Sequence, residues 1–232
     1  MLTIYHGSDH IVMKPQFCLG KATNDFGRGF YCSCNVDLAR EWACKLETDG
    51  FANTYSFDED GMIILDLLDG NYSVLEWVAL LLRNRRFRLR FELAREAREH
   101  LVREYCPNLD SVDVVIGYRA DDSYFDYARA FVEGALSIRQ LSQALYLGKL
   151  GEQYVLKSER AFERIAFQSA EPVGKDVWYP RFARRDAEAR AAYRKSLKGR
   201  APASDDLFIL DILRGDVDGG DSRIPRLLRS VR

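Results

Sequence analysis

The apolar residues of this chain fall into short blocks of two different periods, and the blocks do not alternate regularly. Gly61 to Leu68, carrying Met62-Ile63-Ile64-Leu65, reads as a buried strand, and Val112 to Ile116 reads as another. Leu2 to Tyr5 is a shorter β-prone run that ends at His6-Gly7-Ser8, and Phe30 to Ser33 is β-prone as well. Glu152 to Leu156 and Arg164 to Phe167 are strand-like. Helix-spaced stretches lie among these runs. Leu38, Trp42 and Leu46 recur at i, i+4 and i+8 behind Asn35 or Asp37 as caps. Val74 to Tyr105 is helix-rich. Inside it, Phe87, Leu89, Phe91 and Leu93 alternate with Arg86, Arg88, Arg90 and Glu92, which is a strand period, but the neighbouring pattern favours helix. Asp121 to Val132 reads as a helix with an aspartate at its start. Ser137-Ile138-Arg139-Gln140 is a capping box that opens a helix ending near Gly148. Asp186 to Leu197 is an Ala/Arg-rich helix stopped by Gly199, followed by a linker to Asp206 and a short apolar helix, Leu207 to Leu213. Strands dispersed among helices without strict alternation predict an α+β domain. A doubly wound dinucleotide fold is not expected, because Gly27-x-Gly29 lacks the third glycine and does not open a helix after a strand.

Composition removes other classes. The 34 Lys+Arg nearly balance 35 Asp+Glu, for a formal charge of −1, which disfavours a strongly basic nucleic-acid binder. With 232 residues and 47% hydrophobic side chains the chain can bury one large core. Its longest apolar run, around Val74 to Leu82, is broken by Glu76 and falls short of the roughly 18 residues a membrane span needs. No basic flank or apolar stretch follows Met1, so a signal peptide is not expected. Five cysteines, at 18, 32, 34, 44 and 106, form no Cys-x-x-Cys pair and point to a reducing, cytoplasmic compartment. Cys32 and Cys34 with His6 or Cys18 lack the tight ligand pairs of a zinc site, so no metal is expected and they read as small buried hydrophobes.

Three segments carry chemistry. They are Tyr5-His6-Gly7-Ser8 at a strand end, Asp25-Phe26-Gly27-Arg28-Gly29-Phe30-Tyr31 before the helix bearing Trp42, and Gly151-Glu152-Gln153-Tyr154-Val155 opening a late strand. Each alone has a bland reading: a satisfied strand-end histidine, core aromatics at Tyr31 and Trp42, a strand-surface glutamine. Asp-Phe-Gly also occurs in kinases, but no phosphate-cradling loop, strand lysine or His-Arg-Asp loop accompanies it.

Taken in order and spacing, the segments resemble the ADP-ribosyltransferase superfamily, on the His-Tyr-Glu side that includes poly-ADP-ribose polymerases and diphtheria-toxin-like enzymes. His6-Gly7-Ser8 matches its first element, Gly27-Arg28-Gly29-Phe30-Tyr31 its second, and Trp42, eleven residues past Tyr31, its second aromatic. To about Gln168 the chain more closely resembles a bacterial family catalogued as a domain of unknown function, with Arg119-Ala120-Asp121-Asp122-Ser123-Tyr124-Phe125 among its signatures.

The resemblance implies two packed, split antiparallel sheets with NAD in the cleft between them, as co-substrate. It implies a domain over 1–170 with a helical insertion near 72–106, and a helical extension over 171–232. Tyr31 and Trp42 would sandwich the cationic nicotinamide. The Gly7 backbone would hold its amide, a residue without Cβ letting the ligand come close. Ser8 would support that amide, His6 would bond the adenosine ribose, and Gly29 and Phe30 would complete the cofactor site. The catalytic set is then His6, Tyr31 and the third-segment residue. There the family's glutamate is replaced by Gln153, with adjacent Glu152 as the alternative on the opposite strand face and Glu159 a further candidate. A glutamine accepts the same hydrogen bond without bringing charge to an oxocarbenium-like state. Mono-ADP-ribosyl transfer to a macromolecular acceptor, protein or nucleic acid, is expected. NAD hydrolysis with water as acceptor and a non-catalytic NAD-binding or partner-binding module are the alternatives. By analogy a toxin or effector role is implied, delivered into a target cytosol or held by a cognate antitoxin or other partner protein.

Charge is uneven along the chain. Residues 83–104 hold eight Arg and four Glu, net +4, and residues 171–232 hold 14 Lys+Arg and 10 Asp+Glu, also net +4. Solvated helix faces account for this most simply; a basic surface that docks an acidic acceptor is the sharper reading. His10 and His100 read as surface residues.

Overall fold

A computed structural model of the chain describes residues 1–120, 122–147, 151–197, 203–215, 217 and 219–229. The expectations placed on Asp121, Gly148 and Gly199 lie outside these residues. The architecture is α+β, with three sheets and eight helices among the described residues.

The first sheet is antiparallel: β1 (Leu2–Ser8), β3 (Gly50–Phe57) and β8 (Ile165–Val173), in the order β1-β3-β8. Its central strand β3 has no counterpart in the sequence reading. Phe51-Ala52-Asn53-Thr54-Tyr55 mixes polar and apolar residues too evenly to stand out, and pairing on both edges makes it a strand. β8 runs on to Val173, well past Phe167, because β3 supplies partners along its whole length. The second sheet orders β2 (Phe30–Cys32), β7 (Glu152–Leu156), β6 (Val114–Tyr118) and β4 (Ile64–Asp66). β6 is central and buried at all five positions. β4 pairs with it in parallel, so the expectation of purely antiparallel sheets is corrected. A parallel pair needs a long crossover, and the chain from Leu67 to Asp113 provides it. β4 is also shorter than expected and lies at the sheet edge, where Ile63 and Ile64 are 51% and 37% exposed. A third, two-stranded sheet pairs β5 (Asp69–Ser73) with β9 (Arg226–Leu228).

The crossover holds α2 (Val74–Asn84) and α3 (Glu92–Tyr105). Ser73 and Glu76 cap α2 reciprocally, and eight of its eleven residues are buried, Trp77 at their centre. Residues 85–91 are not helical, which corrects the helical reading. A helix would set Arg86 and Arg90 at i,i+4, where like charges repel. The extended form instead turns Phe87 and Leu89 toward the core and leaves Arg86, Arg88 and Arg90 exposed. After β6 come α4 (Asp122–Val132), α5 (Ile138–Leu147) capped by Ser137 and Gln140, β7, and α6 (Glu159–Glu163). α7 (Lys175–Leu197) starts eleven residues before Asp186 and takes Pro180 into its body. The last helix is α8 (Ile209–Leu213). One core runs from Ile4 through α2 and β6 to Ile209, Ile212 and Leu227. No helix among the described residues is long and apolar enough to cross a membrane.

Candidate functional site

The site begins where the two larger sheets meet. Ser33, just past β2, forms a single bridge with Tyr5 of β1, the Tyr5 N–H donating to the Ser33 carbonyl at 2.8 Å and the Ser33 N–H to the Tyr5 carbonyl at 2.9 Å. Tyr5 therefore turns its backbone groups away from β3, and the two-residue alternation of an antiparallel ladder sends those of Gly7 to the same edge. That edge opens into a gap between the sheets. Over it lies α1 (Val36–Ala43), capped by Asn35, whose side-chain oxygen accepts from the Asp37 N–H. A Cβ on Gly7 would stand 1.9 Å from the Ala39 carbonyl oxygen and 2.7 Å from the Ala43 nitrogen. Glycine is thus required by the approach of α1, rather than by the close approach of a ligand from that side.

Tyr5, Gly7, Tyr31, Ser33, Leu38, Ala39, Trp42, Arg119 and Gln153 enclose a recess with a cavity volume of about 20 Å³. That is room for a single water, so a ring enters only if Arg119 moves off Trp42. Gln153 is 4% exposed, and its side-chain oxygen and nitrogen are both out of reach of solvent with no hydrogen-bond partner. The Trp42 Nε1, also buried, likewise has none. Buried polar groups in native proteins are nearly always bonded, and each one left over costs about 1–3 kcal/mol. Three such atoms, on two side chains, lie on this one recess. Trp42 offers its face as well: the Arg119 guanidinium stacks on it, 4.5 Å from the ring centroid. A planar delocalised cation thus covers that face of the ring. Arg119 is 3% exposed and reaches Phe182 of α7 at 6.0 Å.

The remaining sequence candidates are distributed around this recess. On β7, alternation points Gln153 inward, while the Glu152 carboxylate accepts from Arg229 Nε at 3.1 Å and only edges the recess. Glu159 is exposed at the start of α6. Tyr31 lines the recess with its hydroxyl fixed, donating to the Gly27 carbonyl at 2.7 Å and accepting from the Phe26 N–H at 2.9 Å. Burial, then the nearby Asp25 carboxylate, raises its pKa. His6 and Phe30 lie on the other side of β1 and β2, ring against ring at 4.4 Å. His6 Nδ1 is 2.7 Å from the Tyr31 carbonyl, which can only accept. Burial lowers the His6 pKa, so the neutral ring carries its proton on Nδ1 and leaves Nε2 an acceptor. Ser8 sits at the outer rim, donating to the His10 carbonyl at 2.6 Å and accepting from buried Asn53. Gly29 serves packing: a Cβ there would meet Val155 Cγ1 at 2.6 Å.

Asp25 and Ala120, from two of the sequence motifs, form one latch with Arg85. Asp25, buried, accepts from Arg85 Nε at 2.7 Å and from the Ala120 N–H at 2.9 Å, while Arg85 Nη2 reaches the Ala120 carbonyl. The latch fixes the chain next to Arg119. Lys157 Nζ ties the same loop from below through the carbonyls of Phe26 and Arg28. Burial lowers its pKa to about 8, with Arg83 adding to the shift.

Sequence reasoning passed over Arg119 as a site residue although it heads a motif, because its stacking on Trp42 joins residues 77 positions apart. Phe182 and the Glu41–Arg185 pair that docks α7 on α1 at 2.7 Å had no sequence signal. Among the described residues no group of three or more His, Cys, Asp or Glu is placed to hold a metal ion. Comparison with curated proteins and with solved structures finds no match. Residues 2–167 do match the family model described as "Protein of unknown function (DUF3990)", and the chain belongs to that family.

Proposed function

We propose that the recess binds NAD by its nicotinamide end and that the protein is a mono-ADP-ribosyltransferase acting on a macromolecular acceptor. The observation that carries this reading is Gln153, a buried amide with both polar atoms unpartnered on a recess that also presents the Trp42 face and the Gly7 backbone edge. These groups fit a flat, cationic, carboxamide-bearing ring. NAD supplies the scissile bond between ribose and a positively charged leaving group. Gly7 N–H and C=O meet the carboxamide, and Trp42 stacks on the ring after Arg119 swings off it. A displaced Arg119 then has an anionic diphosphate to pair with. Gln153 accepts from a ribose hydroxyl and holds the sugar in place, while His6, on the other side of β1, holds the Tyr31 carbonyl and with it the β2 wall of the recess. The uncharged amide gives weaker stabilisation of developing positive charge than a carboxylate would, so slow, single transfers are expected rather than chain growth.

One observation favours a second reading, a non-catalytic NAD-binding module: Arg119 lies in the recess while the Glu152 carboxylate is turned to Arg229. Chromatographic assay of nicotinamide separates the readings. Release that requires cell lysate supports transfer, and release in buffer alone indicates hydrolysis. Gln153→Ala should slow release more than Glu152→Ala; the reverse order would move the role one residue. NAD binding without release under any acceptor mixture would leave only the binding module.

A further inference from the structure

The extended segment 85–91 has a regularity the recess does not use. Phe87 and Leu89 are half-buried against the core, Phe87 edge-on to Phe125 at 4.7 Å and beneath the Arg98 guanidinium at 5.6 Å. At one end Arg85 is pinned by Asp25 and Ala120; at the other, Phe91 begins α3 and is 59% exposed. Between these anchors Arg86, Arg88 and Arg90 all face solvent. None of the three has an ion-pair partner among the described residues, whereas Arg95 and Arg103 pair with Glu92 and Glu104 at 2.7 and 2.6 Å. Beside the strip, Arg83, Arg95, Arg98 and Arg103 line an open groove with Glu99 and Val102. The segment 83–91 contains five arginines and no acidic residue.

We propose that this strip and groove bind single-stranded nucleic acid through its phosphates, with Phe91 stacking on a base. In an extended chain, alternate residues stand about 7 Å apart. That interval is of the order of the distance between successive phosphates on an extended single strand. Three anchored guanidinium forks at a fixed interval suit a repeating phosphate ladder better than the irregular carboxylates of an acidic protein. An exposed aromatic at the end of a basic track is the other component of single-strand sites. Its neighbours are charged rather than apolar, which gives a bilayer little to receive. The proposal does not depend on the reading of the recess. The latch, however, ties Arg85 to the residue after Arg119, so the strip leads toward the recess.

The test is fluorescence anisotropy of the full chain with a labelled single strand of roughly 20 nucleotides, as RNA and as DNA, titrated at several salt concentrations. Wild type should bind at low salt. The R86Q/R88Q/R90Q variant should lower the magnitude of the log–log salt slope by about 2, since each phosphate neutralised on a single strand adds about 0.7. Between about 50 and 200 mM salt, wild type should therefore lose about 20-fold more affinity than the variant. The R86K/R88K/R90K variant keeps the charge and should keep the slope. Phe91→Ala should weaken single-strand binding about fivefold or more and leave the slope alone. Unchanged thermal unfolding of these surface variants controls for folding. No binding at low salt, or binding indifferent to R86Q/R88Q/R90Q, overturns the proposal. So does tighter binding to polyglutamate, which would mark a protein-docking face, or to a duplex of the same sequence with no effect of Phe91→Ala. Nicotinamide release plays no part in these readouts, so the outcome is separate from that of the NAD reading.

Discussion

Gln153 allows the cost of keeping a binding recess to be measured. Its amide is sealed from solvent and unbonded, so the folded state bears the desolvation of a donor and an acceptor without return. Methionine is of similar length, carries no group that needs a partner, and adapts to irregular space. Gln153→Met should therefore stabilise the protein. Relieving one unsatisfied buried group is worth about 1–3 kcal/mol. For a chain of this size, each kcal/mol moves Tm by about 2–4 °C, so a rise of about 2–12 °C is expected. Urea unfolding gives the free energy directly, with an unchanged m-value showing that the compactness of both states is kept. The gain should come with a loss: NAD should raise the Tm of wild type and leave Gln153→Met nearly unmoved. Destabilisation by more than about 1 kcal/mol would mean that the glutamine is satisfied in the free protein, and the argument from an unpartnered amide would fail.

Other perturbations test neighbouring parts. Asp25→Ala strips a buried carboxylate from Arg85 and the Ala120 N–H and should cost about 3–5 kcal/mol in urea unfolding; a loss under about 1 kcal/mol would show that the latch does little. Gly7→Ala should destabilise by about 1–3 kcal/mol or more, because its Cβ meets the α1 backbone at 1.9 Å and backbone cannot rotate away. Burial keeps the His6 pKa below its ordinary 6.5, so between the two values the unfolded chain binds more protons. The stability that neutral His6 contributes is full above about pH 6.5 and is lost as pH falls through the lowered folded value. Stability measured from about pH 7 to 5 should fall less steeply in His6→Gln, and an unchanged slope would show that His6 takes up its proton alike in the folded and unfolded chain.

How legible all this was depends on how local the signal is. The β7 strand and the α5 cap were readable because one residue in two faces inward, or one side chain meets a backbone three residues on. The same reasoning chose helix for residues 87–93 against their own period-two pattern, since the flanking helices dominated the window. Tertiary anchoring of Phe87 and Leu89 decided otherwise. β3 was hidden because its strand character comes from two partner strands, one of them more than a hundred residues away. Of the site, Gly7, Tyr31, Trp42 and Gln153 were brought together by the resemblance, and they line one recess. Arg119 stacked on Trp42, and the turning of Glu152 toward Arg229, are products of long-range packing that no local pattern records.

The central claim is that the recess takes NAD by its nicotinamide end, and calorimetric titration of NAD tests it most directly. The account predicts one saturable site per chain, competed by free nicotinamide. Trp42→Ala, which removes the stacking face, should weaken it about tenfold or more. Absence of binding, or binding indifferent both to nicotinamide and to Trp42→Ala, would contradict it.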